Sequence, residues 1–340
     1  MNIKKTYIPK TLHRYEPVVI LGTGSFAQDL EFILLNHGFF VERKITTDDL
    51  PTLTNKNIQL VVGIFNRNTP YSMLIEKAKL NGFQNIFLPW EYYSRFITDL
   101  GWRYWLSDPE LIFNNINNIN KVYNMLSDDH SKNLLQSICE FRTGNDNNYS
   151  HFIDQEPQYF NSITLQDDIK YYIDGGAYNG DTFQQLQNST AIDKAILFEP
   201  DTDNFKKLTK NVVNAVCLPL AISDKTELLT FNMGHGESSN LNTNGGNKVM
   251  AISLDDMFAK VNVDFIKLDL EGGEIPALLG AKNLIKFARP KLAISLYHRP
   301  EDLWEIPLLL ETICSNYNFY IRQHFYNSFD SVLYLSLIHI

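Results

Sequence analysis

Asp174-Gly175-Gly176-Ala177-Tyr178-Asn179-Gly180-Asp181-Thr182 is the stretch that decides how this chain folds. It follows an apolar run, Tyr171-Tyr172-Ile173, and leads into Phe183 to Leu186, which has helical character. The pattern is a strand, a glycine turn and a helix start. Glycines let backbone approach a neighbour closely, and a helix N-terminus offers N–H groups without intrahelical partners. Glu199 closes a second apolar run, Leu197-Phe198, and is followed by Pro200-Asp201. A carboxylate so placed accepts hydrogen bonds from both hydroxyls of a ribose.

The turn has no basic residue to cradle phosphate. A ribose-reading acid beside it suits a nucleoside with a small charged tail. S-adenosylmethionine is such a ligand, with Asp174 expected near its ammonium group. The expected cofactor contacts are Asp174, Gly175, Gly176, Ala177, Asn179, Gly180, Thr182, Glu199 and Asp269.

A second cluster lies in Val263-Asp264-Phe265-Ile266-Lys267-Leu268-Asp269-Leu270-Glu271-Gly272-Gly273-Glu274, a buried strand ending in three acids. In open α/β sheets, ligands sit beyond the carboxyl ends of the strands. Asp269, Glu271 and Glu274 are therefore expected at the same edge as Asp174 and Glu199. A helix N-terminus by itself accounts for one of the last two acids. Leu292 to Leu296 is a further strand, ending at Tyr297-His298 on that edge. Imidazole titrates near neutrality, so His298 is the expected general base, with Asp269 and Glu271 beside it as catalytic acids. Asp269, Glu271 and His298 also offer oxygen and nitrogen to a divalent ion, which the spacing does not require.

The segments Asp174–Thr182, Phe198-Glu199-Pro200, Ile252–Asp256, Phe265–Glu274 and Ser295–Pro307 together resemble the FkbM family of methyltransferases. So do Ala277–Ala281 and Arg289–Leu292. The resemblance runs in order over residues 120 to 335. It implies a seven-stranded methyltransferase sheet with one antiparallel strand near the end, and S-adenosylmethionine as cofactor. It also implies O-methylation of a sugar or natural-product acceptor, with Asp174, Gly176 and Glu199 binding the cofactor. The catalytic base is inferred from placement alone.

The chain is an α/β protein in three parts. Residues 1–95 read as a small Rossmann-like domain, with Val18–Leu21 a strand and Gly22-Thr23-Gly24 a glycine turn. Residues Phe39-Phe40-Val41 read as its second strand. The domain looks like nucleotide-sugar-binding units, yet Glu42 is followed by Arg43 and Lys44, so its ribose acid is missing. A scaffold or docking role is favoured there. Residues 96–165, rich in Asn and aromatics, read as a helical bridge. Residues 166–335 are the methyltransferase domain, with one long helix expected over 274–288. Residues 336–340 read as a non-native tail. The loops Asn145–Asn148, Gly234–Asn240 and Asn242–Gly246 are turn-like; a substrate contact by His235 near the mouth of the site is weighed against a plain solvent loop, which is favoured.

With 340 residues, a length prior gives about two domains. Thirty Lys and Arg against 39 Asp and Glu leave a net charge of −9, which disfavours a nucleic-acid partner. No stretch approaches a membrane span, and the N-terminus lacks a secretory apolar segment. Cys139, Cys217 and Cys314 lack paired spacing and read as thiols of a reducing cytoplasm. The expected partner is a small-molecule or glycan acceptor, with self-association left open. The competing functions are an NAD-linked sugar-modifying enzyme and a non-catalytic cofactor-binding scaffold.

Overall fold

The computed structural model describes residues 1, 3, 5, 10–146, 152–165, 168–232, 240–241 and 247–337. The sequence loops at 147–148, 234–239 and 242–246, with His235, lie outside the described residues, as do positions 338–340 of the tail. The chain divides into two compact units. One comprises Met1–Asn120, Asn133–Ile153 and Phe325–Asp330; the other Lys121–Lys132, Asp154–His324 and Ser331–Ile340. The partition runs through the segment 96–165, whose helices Ile116–Met125 and Asp129–Arg142 each contribute to both units.

The first unit holds a parallel sheet of β1 (Val18–Leu21), β2 (Val41–Ile45), β3 (Gln59–Val62) and β4 (Ile86–Phe87), in the order β2-β1-β3-β4. β2 begins two residues later than the apolar run suggests. The helix Ser25–Asn36 ends in a left-handed glycine, Gly38, with φ +75. Gly38 N–H donates to the Leu35 carbonyl and Phe39 N–H to that of Leu34, both at 3.0 Å. This C-cap commits Phe39 to closing the helix, so pairing starts beyond it. In the turn after β1, Gly22 has φ +138, and a Cβ there would lie 2.7 Å from the Gly63 carbonyl oxygen. Gly22 is thus fixed by packing, whereas Gly24 faces open space.

The second unit holds β5 (Tyr171–Gly175), β6 (Lys194–Phe198), β7 (Val216–Leu218), β8 (Ala221–Ile222), β9 (Glu227–Asn232), β10 (Asn240–Leu241) and β11 (Asn247–Ile252). β12 (Phe265–Leu268), β13 (Lys291–Ser295), β14 (Tyr317–Gln323) and β15 (Ser331–Leu337) follow. Seven form one sheet in the order β14-β15-β13-β12-β5-β6-β7. Only β15 in this sheet runs antiparallel to its neighbours, as the resemblance implies. β8 to β11 form a separate four-stranded sheet, so the runs at 227–232 and 248–252 do not extend the main one. β15 carries Ser336 and Leu337 in register with Asn318 and Tyr317, which draws the first two residues of the supposed tail into the sheet.

The strands pair because both faces are apolar. Tyr172, Phe183, Leu186, Leu197, Leu208, Phe265 and Tyr334 make one core, and Phe160 enters it from the preceding segment. The ring of Phe160 meets those of Tyr172 at 6.0 Å and Phe265 at 5.7 Å, both edge-on. The run expected as one helix over 274–288 breaks into Glu274–Leu279 and Lys282–Ala288. Gly280 separates them and lies against Ser223, whose carbonyl oxygen would be 2.1 Å from an added Cβ. Overpacking of this kind costs about 1–3 kcal/mol. Gly280→Ala should therefore lower the unfolding midpoint of the intact chain by several degrees, and Gly24→Ala should leave it nearly unchanged. Thermal denaturation followed by circular dichroism checks both.

Candidate active site

The carboxyl ends of β5, β6, β12 and β13 bring the acidic residues of the two sequence clusters to one edge. Between β5 and β12 the register pairs Lys267 with Asp174. Lys267 is a charged residue in an otherwise apolar strand, and it is 2% exposed. Its Nζ lies 2.9 Å from Asp174 Oδ1 and donates to the Gly176 carbonyl at 2.7 Å. Burial disfavours its charge, but the carboxylates of Asp174 and Asp269 outweigh this and hold it above the usual lysine range. Asp174, expected at the cofactor's ammonium group, is wholly buried against this lysine. Through this lysine, which it pairs, Asp174 is linked to the turn above it.

The turn itself is drawn tight. Gly176 has φ +76, and a Cβ there would lie 1.9 Å from the Asp269 carbonyl oxygen. Gly180 has φ +87 and caps the helix Asp181–Ser189. The N–H groups of Gly176 and Ala177 both donate to the Phe198 carbonyl at 3.0 Å. Tyr178 N–H donates to Glu199 Oε2 at 2.9 Å, and Asp181 N–H to Asn179 Oδ1 at 3.0 Å. Thr182 N–H is taken by Asp181 Oδ1 at 2.7 Å. The turn was expected to offer unpartnered N–H groups to a ligand; in the structure these are spent within the chain. No phosphate cradle is built here.

Glu199 follows β6 directly and is 6% exposed. Its Oε1 accepts from Asp201 N–H at 2.8 Å, so each oxygen holds one backbone donor and keeps a further lone pair. Burial pushes its carboxyl up to about 7 against these donors. These groups fit a nucleoside: a carboxylate held by its inner lone pairs, beside a turn too closely packed for side chains.

On the β12 side, Asp269 is a quarter exposed. Tyr159 Oη donates to its Oδ2 at 2.8 Å, and Tyr297 Oη lies 3.4 Å from Oδ1. His298 Nε2 lies 3.3 Å from Asp269 Oδ1 and 3.6 Å from Glu271 Oε1. His298 Nδ1 meets Glu274 Oε1 at 2.8 Å. Glu274 is fully buried and also accepts from Leu270 N–H at 2.6 Å and Gly272 N–H at 3.1 Å. It therefore holds both the loop carrying Glu271, at φ +52, and the imidazole. Burial opposes charge on His298, yet Glu274 and Glu271 raise it well above the usual histidine range. Burial would raise Asp269, but the charges of His298 and Lys267 and the hydroxyls of Ser295 and Tyr159 hold it below the usual carboxylate range. Asp302, one turn further on, is pushed up to about 8 by burial and by Glu274.

His298, read as the base, has no exposed surface, and the carboxylates of Glu274 and Glu271 favour its charged form, which together weigh against it as a proton acceptor. Asp269 is held below the usual carboxylate range and has surface. Asp269, Glu274 and His298 each offer a ligand atom within 4.8 Å of the others. In the structure these atoms are engaged with one another and with backbone N–H groups. Lys267 and Tyr159 were missing from the expected site, and Glu274 was expected at its edge without its role as partner of His298. A lone lysine inside Phe265-Ile266-Lys267-Leu268 is a signal for a buried pair. Tyr159, 110 positions before Asp269, gives none.

Residues 174–327 match the family model of the methyltransferase FkbM domain. The crystal structure of methyltransferase FkbM from Methylobacillus flagellatus KT is similar over 94% of this chain and 90% of that one, at 21% identity and a TM-score of 0.72. A SAM dependent methyltransferase from Aquifex aeolicus aligns over 51% of this chain and 84% of its own, at 14% identity and a TM-score of 0.30. No curated protein sequence matches the chain.

Removing the charge of Lys267 leaves Asp174 buried and alone, which costs about 3–5 kcal/mol. Lys267→Met should lose stability on that scale in a urea titration. The double variant with Asp174→Asn should recover much of the loss.

Proposed function

We propose that this chain, whose residues 174–327 match the methyltransferase FkbM domain, transfers the methyl group of S-adenosylmethionine to a hydroxyl of a small-molecule or glycan acceptor. The observation that carries this reading is Glu199, set at the end of β6 beside a glycine turn that offers no phosphate cradle. Glu199 would hold the ribose, and Gly175, Gly176 and Ala177 would let the nucleoside lie close to backbone.

When bound, S-adenosylmethionine supplies an electrophilic methyl group. The residues of this chain orient the acceptor and move one proton. Asp269 is held below the usual carboxylate range and is partly exposed, so its carboxylate would receive the acceptor's hydroxyl proton as the acceptor oxygen takes the methyl carbon and the carbon–sulfur bond breaks, its electron pair staying on the sulfur. His298 stands behind it, its charged form favoured by Glu274 and Glu271. Proton acceptance of this kind is worth about 10²–10⁴-fold in rate. Asp269→Asn should lose activity on that scale while still binding S-adenosylhomocysteine. A mass-spectrometric screen for methylated products among hydroxylated sugars and glycans checks the transfer and its acceptor class. Among the described residues no helix is long and apolar enough to cross a membrane, and the three cysteines stand free. Free thiols suit the reducing cytoplasm, which we take as the site of action.

The carboxyl of Glu199 gives a pH signature. Ribose hydroxyls donate to its ionised form, so binding is favoured above about pH 7 and weakens below it. A competent fraction that falls from about nine-tenths at pH 8 to one-tenth at pH 6 lowers affinity about tenfold. Calorimetry with S-adenosylhomocysteine across this range should show that slope, and Glu199→Gln should flatten it. Wild-type affinity independent of pH would contradict the ribose assignment.

A further inference from the structure

The geometry points to Tyr159 as a positioning residue for methyl transfer: its hydroxyl fixes the Asp269 carboxylate, and it comes from a segment before the matched domain. This rests on the reading of Asp269 as the proton acceptor.

The hydroxyl of Tyr159 donates to Asp269 Oδ2 at 2.8 Å, a shorter contact than Tyr297 makes with Oδ1 at 3.4 Å. The same hydroxyl lies 3.5 Å from Ser295 Oγ, on the last residue of β13. The face of its ring meets Lys267 Nζ at 5.3 Å, so the tyrosine spans the carboxylate and the ammonium that together define the sheet edge.

The backbone is set for this reach. Tyr159 has φ +72, an outlier for a bulky residue, which persists only where surrounding contacts impose it. Those contacts are present. Tyr159 N–H donates to Tyr334 Oη at 3.1 Å, and its carbonyl accepts from Thr164 Oγ1 at 2.8 Å. Thr164 Oγ1 in turn accepts from Asn161 N–H at 3.0 Å, and the Thr164 carbonyl from Lys291 Nζ at 3.0 Å. Phe160 beside it is driven into the core. The segment is anchored on both sides of one strained residue whose side chain ends on the exposed acid.

A donor at this position does two things. It restricts the rotation of the carboxylate, so that Oδ1 faces His298. It also favours the ionised form of Asp269. The charged and titratable groups facing Asp269 are Lys267, Asp174, His298, Glu271, Glu274 and Tyr297; among the neutral hydroxyls around it, that of Tyr159 lies closer than that of Tyr297.

The test follows the carboxyl carbon of Asp269 by NMR in chain labelled with carbon-13 aspartate, assigned through Asp269→Asn, at one fixed pH well above the carboxylate range. Tyr159→Phe keeps the ring on Lys267 and removes only the hydroxyl. The Asp269 resonance should move from its wild-type position, because the carboxylate loses its closest donor and its fixed orientation. Calorimetric affinity for S-adenosylhomocysteine should stay within about twofold. Replacing Tyr159 by 3-fluorotyrosine, a more acidic donor of nearly the same size, should move the resonance the opposite way; this measurement stands should the phenylalanine variant fail to fold. An unmoved resonance, or the same direction of movement in both, overturns the proposal. Activity of Asp269→Asn is read separately and bears on the proton-acceptor reading alone.

Discussion

An ammonium group shut away from water has to be paired, and the pairing of Lys267 sets the rest of this site. Its partners are Asp174 at the end of β5 and the Gly176 carbonyl in the turn that follows. An isolated buried charge would cost many kcal/mol, so β5 and β12 are held in one register and the turn in one conformation. Gly176 is then pressed against the Asp269 carbonyl, where only a glycine fits. The two clusters of acids, far apart in sequence, become the two walls of a single edge.

Charge is layered outward from that lysine. Lys267 and His298 lie beneath the surface with neighbours that favour their charged forms, and Asp269 lies near both with part of its area exposed. Both charged forms stabilise the carboxylate without competing for an acceptor. Glu274 serves the same layering from the far side: it charges the imidazole and ties down the loop bearing Glu271. In a methyltransferase the chemistry belongs to the cofactor, and the protein supplies orientation and field.

Much of this was legible in the sequence. The strand–turn–helix at 171–186, the acid at 199 and the strand ending at Asp269 lie where their local patterns put them. Period and turn chemistry are local properties, so they survive without knowledge of tertiary contacts. What was not legible depends on who meets whom. Asp174 and Glu199 are both acids at strand ends, yet one is locked to a lysine and the other meets only backbone N–H groups and keeps further lone pairs. The N–H groups of the turn look free in a linear reading and are consumed by Phe198 and Glu199 in three dimensions. His298 sits at the expected edge, but its neighbours decide its charge, and burial decides what it can touch. The break at Gly280 depends on the Ser223 carbonyl, 57 positions earlier.

The account stands on the edge between β5 and β6 as the seat of the methyl donor. A crystal structure of the intact chain with S-adenosylhomocysteine tests this most directly. It should show both ribose hydroxyls on the Glu199 carboxylate and the sulfur on the Asp269 side of the turn. A nucleoside bound elsewhere, or with its ribose turned away from Glu199, would contradict it.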